Sequence, residues 1–298
     1  VYKSEIMSAS TIHAIRVLRQ RGPKQFLKDG LVSATETYLT PSVMNWFQRR
    51  KLEMENLETI ARQDSLMFEY YDDPETFTLS LPTTVNGYAP DVREYMENTY
   101  ASEISVKPPY VCEIQDVDLV GPDALPISNN GFIFENVLES DQRLSTSGLI
   151  ALTQGQLPVK NRYRTSRSIK QIDTALSLVG PWNYNYTHWF QDYLGRLEGL
   201  EYYRNQTDID PKLIIPADAS DWMLDALRAM GYGSEWWVSW SGGRVTVDTF
   251  ITSAVRRENR DPDLSRRLLY SPTEFRWIRN RILDNIGLEQ TRPHVERI

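Results

Sequence analysis

His188 is one of three histidines in the 298 residues, and the only one with chemistry gathered around it. It stands in the run Trp182-Asn183-Tyr184-Asn185-Tyr186-Thr187-His188-Trp189-Phe190-Gln191-Asp192-Tyr193-Leu194-Gly195-Arg196-Leu197. Wound as a helix, this run puts His188, Asp192 and, less squarely, Arg196 on one face at i, i+4 and i+8. Trp189, Tyr193, Leu197 and Leu200 form the other, apolar face. A histidine in a first helical turn feels the positive end of the backbone dipole, which favours its neutral ring. A neutral imidazole near pH 7 is a competent general base. Asp192 could orient that ring, as the acid of a triad does, or it could pair with Arg196 as a structural anchor. Asn183 and Asn185 can exchange hydrogen bonds with hydroxyl groups, and Trp182, Tyr184 and Trp189 can stack on a sugar ring. The spacing fits equally a buried histidine tied to a carbonyl, and burial is the commoner fate of each aromatic.

Other chemistry-bearing residues point less clearly. The single cysteine, Cys112, excludes an internal disulfide and a multi-cysteine zinc site. Asp-x-Asp pairs at Asp116/Asp118, Asp208/Asp210 and Asp261/Asp263 are close to what chance supplies, so no metal and no cofactor is expected. Gly242-Gly243 lacks phosphate-loop spacing and reads as a turn. Arg256-Arg257, with Arg260, Arg266 and Arg267, could meet a diphosphate or an anionic lipid, but a solvated face countered by Glu258, Asp261 and Asp263 is the preferred reading. Tyr232, Trp236, Trp237 and Trp240 make an aromatic patch, read as core in preference to a carbohydrate platform.

These residues need elements to hold them. An apolar share of 41% in 298 residues supplies one large core or two ordinary ones and excludes a disordered chain. Forty acidic against 33 basic residues, a net charge of −7, argues against nucleic acid as partner. The basic residues are 25 Arg and 8 Lys, a bias that fits a surface adapted to high salt or a GC-rich genome. No apolar run is long enough to span a bilayer, and absence of a disulfide makes the cytoplasm the default compartment.

Residues 1–100 read as a mostly helical region. Its first 30 residues include a basic amphipathic stretch around Ile12, Ile15, Val17 and Leu18, read as a helix packed on its own domain in preference to one lying on a membrane. From 101 to 255 the pattern is α/β. Short runs at Tyr110–Ile114, Val117–Val120 and Gly131–Leu138 predict strands, as do Gln171–Val179, Lys212–Ile215, Glu235–Trp240 and Arg244–Ile251. Helices are predicted over Asn185–Tyr203 and Ser220–Met230. Alternation of this kind implies a parallel, Rossmann-like sheet, with the His188 run between a strand's carboxyl end and a helix N-terminus, where such folds bind ligands. Residues 256–298 read as a linker helix opened by the capping box Ser271-Pro272-Thr273-Glu274.

Asn185-Tyr186-x-His188-Trp189, then Asp192 and Leu194-Gly195-Arg196-Leu197, resembles the signature of glycosyltransferase family 61, the capsular-polysaccharide type with xylan- and glycoprotein-modifying relatives. The family pattern carries Tyr where this chain has Thr187 and Pro where it has Gly195. Leu213-Ile214-Ile215-Pro216, Trp222 to Met230 with Gly231, and Ser271-Pro272 continue the likeness, which covers about 110–298. The resemblance implies a GT-B arrangement, with a first domain holding acceptor and base and a second holding the nucleotide sugar. It further implies inverting transfer to a glycan or lipid-linked acceptor with His188 as base, Asp192 as its partner, and Asn183, Tyr184, Asn185, Trp189 and Arg196 toward substrate. The expected donor segment would follow a strand starting near Val295, so the nucleotide-binding domain is expected to be incomplete in a processed or truncated chain. The competing expectation is a non-catalytic carbohydrate-binding or scaffold protein of polysaccharide assembly, and a third is a protein whose N-terminal helices dock an assembly complex at the membrane.

Overall fold

A computed structural model describes residues 51–52, 54–79, 89–100, 103–129, 131–133, 170–259 and 268–288. The basic amphipathic N-terminal stretch, with its alternative reading as a membrane contact, lies outside the described residues, as do Asp261, Asp263 and the expected strand near Val295. The chain runs β1 (Lys51–Leu52), α1 (Met54–Gln63), β2 (Phe68–Tyr70), β3 (Glu75–Phe77), α2 (Pro90–Tyr100), β4 (Ile104–Val106), β5 (Tyr110–Val120), β6 (Leu125–Ile127) and β7 (Phe132–Ile133). It continues with β8 (Lys170–Ser177), α3 (Tyr186–His188), a π-helical turn (Trp189–Tyr193), α4 (Arg196–Thr207), β9 (Lys212–Pro216) and α5 (Asp221–Ala229). After a 3₁₀ turn come β10 (Trp237–Trp240), β11 (Arg244–Ser253), β12 (Arg257–Asn259), β13 (Leu268–Tyr270) and α6 (Pro272–Asn285).

The fold class is α/β, built on a mixed sheet. Among the described residues, its strands lie in the order β1-β7-β6-β5-β11-β8-β9-β10, with β2 paired to β5. β11, β8, β9 and β10 run parallel to one another, whereas β5 is antiparallel to β11, β6 and β2. The expected parallel sheet is found in β11, β8, β9 and β10, whereas β5, β6, β7 and β2 add antiparallel pairings and β1 joins β7 in parallel. The reason is connection length: β5, β6 and β7 follow one another through turns of a few residues, too short for the crossover that parallel strands require. The runs read as two strands at Tyr110–Ile114 and Val117–Val120 are one strand, with Asp116 at φ 54° as a local break. The region read as helical up to residue 100 also gives β1 and β2 to this sheet.

Alternation along β8 sends Ala175 and Val179 to one face and Leu176 and Leu178 to the other. The first face packs with Cys112, Leu119, Val247 and Phe250 under Leu57 and Ala61 of α1. The second carries Leu213, Ile215 and Ile251 against Trp189, Tyr193, Leu197, Leu200, Met223, Leu227 and Ile278. Each such side chain contributes roughly 1.5–3 kcal/mol by leaving water. The aromatic patch falls to the core side, with Tyr232 and Trp240 buried and Trp236 and Trp237 half-buried under Arg204 and Arg228. Gly242 and Gly243 form the expected turn into β11, both at positive φ.

Candidate functional site

The site begins where β8 leaves the sheet. Leu178 N donates to Ile214 O at 2.8 Å, holding the strand end to β9, and the chain turns away through Gly180-Pro181. Trp182 N donates to Tyr193 Oη at 3.3 Å, which folds the turn back onto the helix it precedes. Asn185 caps that helix: its Oδ1 accepts from Thr187 N at 3.0 Å and His188 N at 3.4 Å. The expected continuous helix is interrupted. Leu194 N reaches Trp189 O at 2.9 Å, one residue further than an α-helical bond, and regular helix resumes at Arg196.

His188 Nδ1 lies 2.5 Å from Asp192 Oδ2, the i, i+4 pair that the spacing predicted. Asp192 Oδ1 accepts from Tyr270 Oη at 2.8 Å and Arg257 Nη1 at 3.2 Å. The carboxylate has no solvent exposure, while the His188 side chain keeps 24% of its surface. Trp182 stacks on the imidazole, ring centroids 5.6 Å apart. A carboxylate facing a guanidinium, a phenol and an imidazole nitrogen acts as acceptor to all three. With a hydrogen on Nδ1 toward this carboxylate, the neutral ring would carry its lone pair on Nε2, the tautomer a general base needs. The Tyr270 phenol is pushed up from its ordinary value by burial and by the Asp192 charge, so it remains a donor.

Three of the residues read as substrate contacts are interior. Trp189 has no exposure and packs in the core beneath β8 and β9. Arg196 is fully buried, its Nη1 donating to Ser177 O at 3.2 Å and its guanidinium over the Tyr193 ring. Asn183 is 1% exposed, and its Oδ1 has no hydrogen-bond partner among the described residues. These assignments are corrected: the turn after β8 and the helix fold over them. Asn185 is exposed but spends its oxygen on the cap. Tyr184 is exposed and donates through Oη to Asp218 Oδ1 at 2.6 Å.

The arginines that spacing could not place hold the site from behind. Arg257 takes the role of counter-cation that the sequence offered to Arg196. Arg256 is not on a solvated face; it is buried between Glu198 Oε2, 2.9 Å away, and Asp72 Oδ2, 2.8 Å away. Glu274, the expected second half of the capping box, turns inward and accepts from Arg256 N at 2.8 Å. Ser271 alone caps α6, its Oγ accepting from Thr273 N and Glu274 N. Burial pushes the Glu274 carboxyl up to about 8, with Glu198 and Asp192 adding to the rise and the Arg256 amide opposing it. That carboxyl lies against the Cα of Gly195, where a Cβ would overlap it. A side chain at position 195 would force that carboxyl to shift.

Among the described residues no group of three His, Cys, Asp or Glu side chains is placed to hold a metal ion. Asp118 pairs with Arg244 and Thr246, Asp208 ends α4 at φ 56°, and Asp210 pairs with Arg204. No helix of the described residues is long and apolar enough to cross a membrane. Compared with protein-family models, curated proteins and solved structures, the chain matches none of them.

Proposed function

We propose that this chain is an inverting glycosyltransferase with His188 as general base, acting between a nucleotide sugar and a glycan or lipid-linked hydroxyl. The observation that carries the reading is a partly exposed imidazole whose Nδ1 meets a fully buried, doubly braced carboxylate at 2.5 Å. In the step proposed, Nε2 takes the proton of an acceptor hydroxyl while its oxygen bonds to the anomeric carbon. The bond from that carbon to the nucleoside diphosphate breaks from the opposite side, which inverts the configuration. Base assistance of this kind supplies about 10²–10⁴ in rate, and the departing diphosphate needs cationic or amide partners. The finer architecture we propose is the GT-B one, with this sheet as the acceptor and base domain and the work done in the cytoplasm or at the membrane's inner face. Support comes from the position of His188 beyond the carboxyl end of β8, within the parallel half of the sheet.

A second reading, a non-catalytic glycan-binding or scaffold protein, is favoured by the burial of Asn183, Trp189 and Arg196, which gives much of the motif a structural duty. One assay separates the two: release of nucleoside diphosphate from a panel of uridine- and guanosine-diphosphate sugars, with and without neutral oligosaccharide acceptors. The enzyme reading expects acceptor-dependent release that His188→Ala lowers at least a hundredfold. Acceptor binding without release, in wild type and variant alike, assigns the chain to the second reading.

A further inference from the structure

The helical turn that carries His188 also presents an aromatic surface to which the proposed base gives no role. Tyr186 keeps 65% of its surface, more than any other large hydrophobic side chain among the described residues. Its ring is 4.9 Å from Phe190 and 5.2 Å from Trp222, tilted by 46° and 48°. Trp222 enters from the first turn of α5, and the turn before that helix supplies Asp218, which accepts from the Tyr184 hydroxyl at 2.6 Å. The surface thus spans the loops after β8 and β9, at the carboxyl ends of two neighbouring parallel strands.

We infer that Tyr186, Phe190 and Trp222, with the Tyr184–Asp218 pair beside them, form a distal acceptor subsite for a neutral glycan; this rests on the glycosyl-transfer reading above. The ring faces suit the apolar C–H face of a pyranose, and the Asp218 carboxylate accepts hydroxyl hydrogens. An anionic ligand is disfavoured by that same carboxylate. Geometry makes the subsite distal. Two residues along a helix are about 200° apart, so Tyr186 and His188 leave one turn in different directions, and the sugar on Tyr186 is not the one whose hydroxyl reacts. Acceptor length therefore matters: short acceptors reach His188 alone, and longer ones gain the aromatic platform as well.

The test is a ladder of neutral xylo-, cello- and malto-oligosaccharides of two to six units, titrated against the full chain by tryptophan fluorescence and calorimetry. Affinity in at least one series is expected to rise with length. Tyr186→Ala should weaken the longest member about threefold to tenfold and leave the disaccharide unchanged, while Tyr186→Phe stays within about twofold of wild type. Since Tyr186 is mostly exposed, its thermal unfolding should match wild type; Trp222→Phe provides a second, milder probe of the packed ring. Absence of binding in every series, or equal binding by Tyr186→Ala, overturns the subsite. Pelleting with phosphatidylcholine vesicles that Tyr186→Ala abolishes, without glycan binding, reassigns the surface to lipid and also overturns it. His188→Ala is carried through the same ladder and through the transfer assay. If that variant still transfers sugar while Tyr186→Ala loses the length dependence, the base assignment fails and the subsite stands.

Discussion

Two adjoining stretches of one motif have opposite environments. Tyr184 to Thr187 are exposed, whereas Trp189 and the run from Asp192 to Leu197 are buried. His188 stands at the junction, its ring partly in solvent and its Nδ1 on a carboxylate in the interior. The exposed stretch can meet a ligand; the buried stretch ties the helix to β8, through Arg196 to Ser177 and through Trp189, Leu197 and Leu200 to the sheet. A motif that spans both has two reasons for its residue types, and only one of them is chemical. Substitutions should therefore divide by environment, stability on one side and turnover on the other.

The largest effects test that division directly. Trp189→Ala should cost about 3–5 kcal/mol, because it leaves a ring-sized void in a core that cannot fully collapse. Chemical denaturation reads this, and a loss under 1 kcal/mol would mean that the second face is packed otherwise. His188→Ala should do the reverse. Turnover should fall by about two to four orders of magnitude, with a stability loss of about 1–2 kcal/mol for the donor taken from Asp192, well below that of Trp189→Ala. A variant that both unfolds early and keeps its specific activity would erase the contrast between the two stretches.

The part of this contrast legible in the sequence is the local part. The i, i+4 spacing brought His188 to Asp192, and the apolar run and Ser-Pro cap located β8 and α6 closely. Spacing has no access to residues that arrive from elsewhere in the chain. Arg257 and Tyr270 meet Asp192 across 65 and 78 residues, and nothing near either one announces it. Amphipathic patterning also could not tell that Arg196 and Asn183 would be covered, since polar residues are usually read as solvent-facing. The antiparallel half was missed for a related reason: β5 is buried on both faces for most of its length, and continuous apolar runs carry no sign of strand direction.

Behind the dyad, Glu274 offers a pH test of the buried side. Its carboxyl is held at about 8 against an ordinary 4.5, chiefly by burial. The folded chain therefore keeps a proton that the unfolded chain gives up between those two values. Raising the pH through that window favours unfolding, so stability conferred by the protonated acid is present at pH 4 and is lost as pH approaches 8. Glu274→Gln keeps the shape and an acceptor for Arg256 N but cannot ionise. Urea unfolding at pH 5, 7 and 9 should show wild type falling below the variant by a few kcal/mol at most, with the gap opening upward in pH. Parallel curves for the two proteins would place an ion or a water path beside this carboxyl.

Tyr270→Phe should give the smallest effect and divides the site most finely. The variant removes one hydroxyl from a carboxylate that Arg257 and His188 still engage, at a stability cost of about 1–2 kcal/mol for a charged acceptor losing a donor. The Tyr270 ring packs near Phe275 and should stay in place. Because Tyr270 acts on the proposed reaction only through Asp192, it is a positioning residue. Its loss should lower kcat about threefold to tenfold through a less fixed imidazole and leave acceptor KM unchanged. A rise in KM with kcat intact would put Tyr270 against the substrate; no change in either would mean that Arg257 alone suffices to orient Asp192. Tyr186→Ala supplies the opposite split, raising KM for long acceptors at constant kcat, so the pair of variants separates the buried support of the base from the exposed surface beside it.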